Sequence, residues 1–289
     1  MSVSGTRDRS GSWRKLKSDL MMAITVVATA ITLVPLFLVV GYLLSKGASS
    51  VNLAFFTHLP KPVGEAGGGM ANAIVGTFEL VAIASAVGVL VGIGAGLYLA
   101  EHGGRASLAP IARFAADVLI GLPSIVVGIF AYAVVVRPMG GFSALAGGLA
   151  LAIIMIPLVT RTTEEMVALV PNELREAALA LGVPHWRATL SVVVPTAMGG
   201  ILTGVILAVA RVAGETAPLL FTAFGNQFWS TAIGQPIASL TMQVYTYAIS
   251  PFPDWQRQAW AGALVLTALV LTLQIAVRAL AGARLRVPR

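Results

Sequence analysis

Apolar residues in this chain gather in long unbroken runs, at about 20–45, 71–100, 111–136, 142–160, 196–221 and 258–280. They do not alternate with polar residues, so the period-2 signature of half-buried strands is missing. Each run is long enough, at ~1.5 Å per residue, to cross ~30 Å of hydrocarbon as a helix. Lipid leaves no partner for an open backbone group, so a continuous apolar run crosses as a helix. The pattern predicts an all-α, polytopic membrane protein with six transmembrane helices.

Between the fourth and fifth runs the pattern changes. Thr162-Thr163-Glu164-Glu165 has the spacing of a capping box and predicts a helix start, with Pro171 as its stop. Asn172 is the expected N-cap of a short helix over 173–181, with Gly182 as its C-cap. Leu174, Ala178 and Leu181 fall on one face, and Glu173, Arg175 and Glu176 on others. A further short helix is expected from Pro184 toward Pro195. Periodicity alone makes 161–195 a helical loop lying on the membrane.

Charge gives the topology. Five basic residues (Arg7, Arg9, Arg14, Lys15, Lys17) precede the first run. Arg105 and Arg113, then Arg161, Arg175 and Arg187, then Arg278, Arg284, Arg286 and Arg289 follow in alternate connections. With six spans all of these fall on one side, and only Lys46, Lys61, Arg137 and Arg257 on the other. The positive-inside rule then puts both termini in the cytoplasm of a multi-pass bacterial plasma-membrane protein. The predicted organisation is a cytoplasmic segment 1–19, a first helix 20–45, an outer loop 46–70, a core 71–280 containing the cytoplasmic segment 161–195, and a tail 281–289. The first run is too long for a cleavable signal, whose apolar part is roughly 7–15 residues.

Composition narrows the chemistry. Hydrophobic residues make up 57% of the 289, charged residues 11%, and there is no cysteine. Disulfides and thiolate metal sites are excluded. The net charge of +7 is spread over connections rather than gathered in a patch, which argues against nucleic acid. No Gly-x-x-x-x-Gly-Lys-Ser/Thr phosphate loop occurs, and the three histidines (His58, His102, His185) are far apart in sequence. No intrinsic catalysis and no metal site is expected.

Four ionisable residues fall inside apolar runs, where such residues usually serve function. Asp117 is near a span end and within reach of the interface. Glu79, in the second run, is a candidate for the translocation path; it either meets a neighbouring chain or belongs to a buried polar network. Arg211 and Glu215, expected mid-way along the fifth run, are spaced to share a helix face. They form either an internal ion pair or an anion path in which Glu215 orients Arg211 or meets a partner, the guanidinium fork suiting phosphate oxygens. Pro123 and Pro157 interrupt two spans, as kinks for gating or as packing features. In 222–257, Trp229, Tyr245, Tyr247 and Trp255 are either interfacial anchors or the rim of a docking site.

Glu176-Ala177-Ala178, then Gly182, then Pro195 resemble the EAA motif of bacterial ATP-binding-cassette importer permeases, with Val192 and Val194 standing where that motif has Ile and Leu. Asn72-Ala73-Ile74-Val75-Gly76-Thr77, Gly121-Leu122-Pro123-Ser124-Ile125-Val126 and 211–220 resemble the A-type permeases of phosphate-specific transport. The resemblance covers about 67–280. It implies the type I importer permease (MetI-like) fold and a coupling helix at 173–184, with Glu173, Glu176, Ala177, Ala178, Gly182 and Pro184 on a separate ATPase dimer. It also implies a second, homologous permease as heterodimer partner, an extracytoplasmic phosphate-binding protein, and phosphate as cargo. ATP and Mg would be used by the ATPase, with no cofactor on this chain. Another oxyanion (sulfate, molybdate, phosphonate), an ATP-independent channel or transporter, and a membrane sensor remain open readings.

Overall fold

The computed structural model describes residues 8–65, 67–104 and 107–284. Arg7, Arg105, Arg286 and Arg289 lie outside the described residues, as do the side chains of Arg9, Arg278 and Arg284. Helices dominate: α1 (Asp8–Gly47), α2 (Leu53–Thr57), α3 (Ala71–His102), α4 (Ala109–Gly121), α5 (Ser124–Met139), α6 (Ala144–Ala168), α7 (Asn172–Ala180), α8 (His185–Ala213), α9 (Ala217–Leu220), α10 (Leu240–Ala248) and α11 (Pro253–Arg284). A bridge between Phe224 and Ile237 is the one β pairing among the described residues. Among the described residues five helices are long and apolar enough to span a membrane, and α4 with α5 makes a sixth crossing only if counted together.

The third span is broken. α4 and α5 meet at 107° across Leu122 and Pro123. Both residues are extended, with ψ of 137° and 130°. Pro123 cannot donate a helix hydrogen bond, and its ring pushes Leu122 out of the helical region. Pro157, by contrast, sits inside α6 without stopping it. Two other prolines leave a different mark. A π turn at Tyr132–Val136 precedes Pro138, and another at Thr189–Val193 precedes Pro195. The wider turn accommodates a ring that would otherwise strike the carbonyl four residues back.

The fourth span runs past its predicted end. α6 continues to Ala168, so Thr162–Glu165 lies mid-helix and caps nothing. Thr162 instead donates to the Leu158 carbonyl, and Glu164 is buried in ion pairs. The true cap is Ser143, whose hydroxyl accepts from Ala146 N.

α3 and α6 run parallel and form the centre of the molecule. Gly88 faces Met155, Gly92 faces Val159, and Gly96 faces Thr160 and Thr163. A Cβ at Gly92 would lie 2.7 Å from Val159 Cβ, so only glycine allows this approach. Around this pair, Leu80, Leu151, Met155, Ala208, Val212 and Leu219 form the buried core. α1 stands apart. Its most apolar stretch buries nothing within the chain, and it touches α11 at its end, where Tyr42 meets Trp260 edge to face at 5.1 Å.

At the Ala144 end of the bundle, the 222–239 segment folds back onto the helix starts. Ser143, Ala144 and Leu145 donate backbone N–H groups to Thr222, Gln235 and Ile233. Thr77 Oγ1 accepts from Leu240 N, and Asn72 Nδ2 donates to Asn226 O. The bonds from Ala144 and Leu145 satisfy donors that the first turn of α6 cannot satisfy internally, and the bond from Leu240 does the same for α10. The four aromatic residues of this region divide. Tyr247 and Trp255 stack at 4.4 Å, with Tyr247 buried, and belong to the core of this end. Trp229 and Tyr245 are exposed.

Candidate functional site: a docking helix and a charged pair

α7 projects from the Glu101 end of the bundle. Pro171 occupies its N-cap position and makes no side-chain cap. Asn172, the expected cap, is instead the first helical residue, and its Oδ1 accepts from Arg175. The C-terminal turn is the one the sequence predicts. Gly182 adopts φ +77°, its N–H bonds Leu179 O at 2.9 Å, and Val183 N bonds Ala178 O at 3.2 Å. This reciprocal pair closes the helix, and the left-handed position favours glycine.

Of the three residues predicted to share one face, Leu174, Ala178 and Leu181, only Ala178 is buried. Leu174 is 41% and Leu181 84% exposed. Two apolar neighbours, Leu179 and Trp186, are also exposed. Glu173, Glu176, Ala177 and Pro184 face outward as well. The helix has one small inner contact and a broad mixed outer surface, the reverse of a loop resting on its own bundle.

Two ionic clusters, whose partners sequence spacing did not reveal, tie this end together. Arg175 reaches from α7 to Glu101 at the end of α3, to Val167 O in the last turn of α6 and to Val170 O just beyond it. Nearby, Glu164 of α6 accepts from Arg113 Nε at 2.6 Å and Arg161 Nη1 at 3.2 Å. Arg161 Nε also lies 3.5 Å from Asp117, so Asp117 is paired rather than simply reaching the interface. Charged residues at the ends of apolar runs were the available signal. Their partners are 51 and 74 residues away in sequence, and spacing does not disclose such pairs.

Arg211 and Glu215 are close in space but not mid-way along a helix. Arg211 is in the last turn of α8, Glu215 lies beyond its end, and Gly214 separates them as the cap. Glu215 O accepts from Thr241 Oγ1, which fixes the chain after the break. Arg211 lines a crevice of about 10 Å³ with Leu122 and Ser124, where the third span breaks. That volume is water-sized and holds no oxyanion. Glu79 is half-buried on α3, and its Oε1 has no hydrogen-bond partner among the described residues. The structure gathers the α7 residues in one projection and Arg211 with Glu215 in another place.

At the Ala144 end, a cavity of about 260 Å³ lies between the Phe224–Gln227 turn and α10. It contains no charged side chain among its lining residues. Burial pushes the Tyr247 hydroxyl above its ordinary pKa, and the Gln243 side chain offsets part of that rise.

This arrangement, a multi-pass helical body with a small projecting helix tied to two of its spans, is that of a membrane transport permease. The family described as "Binding-protein-dependent transport system inner membrane component" matches residues 88–286. The chain belongs to this family of transport permeases, in the branch that carries the name phosphate transport system permease protein PstA. It is 46% identical over 273 residues to the protein of that name from Yersinia pestis, covering 94% of this chain and 92% of the relative. A second, from Xylella fastidiosa (strain Temecula1 / ATCC 700964), is also 46% identical, over 268 residues. Among solved structures, the MetNI methionine ABC transporter in an inward-facing conformation matches with a TM-score of 0.62 at 18% identity, covering 75% of this chain and 98% of that one. That likeness establishes the MetI-type permease fold. The chain is a non-catalytic transmembrane subunit.

Proposed function

We propose that this chain is one permease of an ATP-driven importer that moves inorganic phosphate into the cytoplasm. It pairs with a second, homologous permease and receives phosphate from an extracytoplasmic binding protein. α7 and its flanking turn, through the exposed Glu173, Glu176, Ala177, Gly182 and Pro184, dock on a separate ATPase dimer, while Ala178, expected to join them, is buried and seats α7 on the bundle. ATP and Mg act on that dimer, and this chain binds no cofactor. Both termini are cytoplasmic, on the side of α7.

In this reading ATP binding closes the ATPase dimer and displaces α7. The spans exchange inward-open for outward-open, phosphate enters, and hydrolysis resets the path. The observation that carries the reading is α7 itself: a short helix whose outer surface is unfilled and whose inner side is bonded to the ends of α3 and α6. Such a helix passes displacement to the spans. The relatives' printed names support phosphate as cargo. Arg211 places a guanidinium beside the break in the third span and lowers the cost of an anion in a low-dielectric interior. Glu215 orients it, and Glu79 faces the partner permease.

The test is labelled phosphate uptake at limiting phosphate, in cells lacking this chain and in cells with it restored, with excess sulfate as competitor. Restored uptake that sulfate leaves intact, and that ends when the ATPase is inactivated, is the expected result. Restored uptake that sulfate abolishes makes the cargo another oxyanion. Uptake that persists without the ATPase makes the chain an ATP-independent transporter.

A further inference from the structure

Arg175 makes four polar contacts with one guanidinium. Nη1 donates to Val170 O at 2.7 Å and to Asn172 Oδ1 at 3.2 Å. Nη2 donates to Val167 O at 2.9 Å and to Glu101 Oε1 at 3.1 Å, the last bond also forming an ion pair. Val167 O lies in the last turn of α6 and Val170 O two residues past its end, both at the negative pole of the helix dipole. A cation there is stabilised twice, by hydrogen bonds and by the dipole.

Glu101 has a side chain only 5% exposed, and both its oxygens are used. Oε1 takes Arg175, which precedes the Gly182 turn. Oε2 lies 3.3 Å from Thr189 Oγ1, which follows it and whose single proton is shared with His185 O at 3.1 Å, and His185 Nδ1 is 3.9 Å away. One carboxylate on α3 therefore holds both flanks of the projecting helix. α3 is itself packed on α6 through Gly88, Gly92 and Gly96, so α3, α6 and α7 meet through a single pair of side chains.

We infer that Arg175 and Glu101 are the positioning residues of the dock: they fix α7 to α3 and α6, so that displacement of α7 moves those two spans as one body. This rests on the reading of α7 as the ATPase dock. The exposed Glu176-Ala177 surface makes the contact, with Ala178 seated against the bundle, and Arg175 converts that contact into movement of the spans. Without it, the dock swings on the Pro171 and Gly182 turns and the stroke is lost. A lysine offers one ammonium in place of a planar fork and cannot reach all these acceptors.

The experiment uses the full complex, reconstituted in vesicles, with unaltered chain, Arg175→Ala, Arg175→Lys and Glu101→Gln. It reads the ATPase recovered per permease, the ATP hydrolysed, and the labelled phosphate moved per ATP. The expected result for Arg175→Ala is ATPase recovery within twofold, continuing hydrolysis, and at least a tenfold fall in phosphate moved per ATP. Arg175→Lys recovers less than half of the lost ratio, and Glu101→Gln falls between. A ratio within twofold of the unaltered chain overturns the inference. So does a loss explained wholly by poor recovery of the complex. Hydrogen exchange at amides 172–183 checks the clamp without transport: faster exchange in Arg175→Ala is expected, and unchanged exchange overturns it. Ala177→Arg, on the exposed surface, tests the dock separately, because retained ATPase recovery there refutes the docking reading whatever Arg175 does.

Discussion

Arg211 Nε lies 3.7 Å from Glu215 Oε1, across the point where α8 ends. The two side chains differ in exposure, 47% for Arg211 and 17% for Glu215. The carboxylate is held within the chain while the guanidinium is half open, so the pair does not simply neutralise itself in a closed interior. Arg211→Ala is expected to cut phosphate uptake at least tenfold, a barrier change of about 1.4 kcal/mol, at unchanged protein level. Arg211→Lys retains charge but not the fork and should restore only part of it. Uptake per permease in membranes of equal permease content checks both.

Glu164 ties α4 to α6 through Arg113, and Arg161 reinforces it from one turn away. Its side chain is 9% exposed, while each arginine keeps 35% of its surface open. Glu164→Ala leaves two cations facing a buried gap, with water able to reach them. The expected loss is roughly 1–3 kcal/mol, below that of a fully buried pair. Thermal unfolding in detergent should show a lower midpoint, and Asp117→Asn, at a more exposed site, should change it far less.

The α3–α6 contact gives a steric prediction. Gly92→Leu forces a side chain into Val159. Overpacking of this kind costs about 1–3 kcal/mol or more when backbones must separate. Gly94, on the same helix with open space around it, is the control. Gly94→Leu should leave the unfolding midpoint near that of the unaltered chain, while Gly92→Leu lowers it.

Most of the helical layout was readable in the apolar runs, because lipid allows one solution for a continuous apolar segment. The ends were less readable. The 162–165 sequence matches a capping box, yet α6 runs through it: Glu165, the acid of the box, lies 3.5 Å from Arg161, and the Thr162 hydroxyl donates to the Leu158 carbonyl. The break at Pro123 and the continuity at Pro157 look alike in sequence. They differ in that Leu122 and Pro123 are both extended, whereas Pro157 is carried inside α6. The Gly182 turn was legible because a left-handed closing position selects glycine. The end of α8 at Ala213 was hidden inside an apolar run, so Arg211 and Glu215 read as one helix face. The Arg175–Glu101 clamp, 74 residues apart, had no local signal.

Gly182 also carries a prediction. Gly182→Ala places a Cβ at φ +77°, a cost of about 1–2 kcal/mol. It should loosen the end of α7 and reduce ATPase recovery per permease, with little change in the unfolding of the spans. Nothing lies within 4 Å of a Cβ built there, so any loss comes from backbone strain and not from a clash.

The central claim is that this chain, with its partners, carries phosphate under the drive of ATP. Vesicles holding the purified permease pair and ATPase, with ATP inside, binding protein outside and labelled phosphate added outside, test it directly once the complex is oriented with the ATPase inside. The account predicts phosphate accumulation that requires ATP, the binding protein and this chain, and that excess sulfate does not reduce. Accumulation that is equal without ATP, or absent with every component present and the ATPase active, contradicts it.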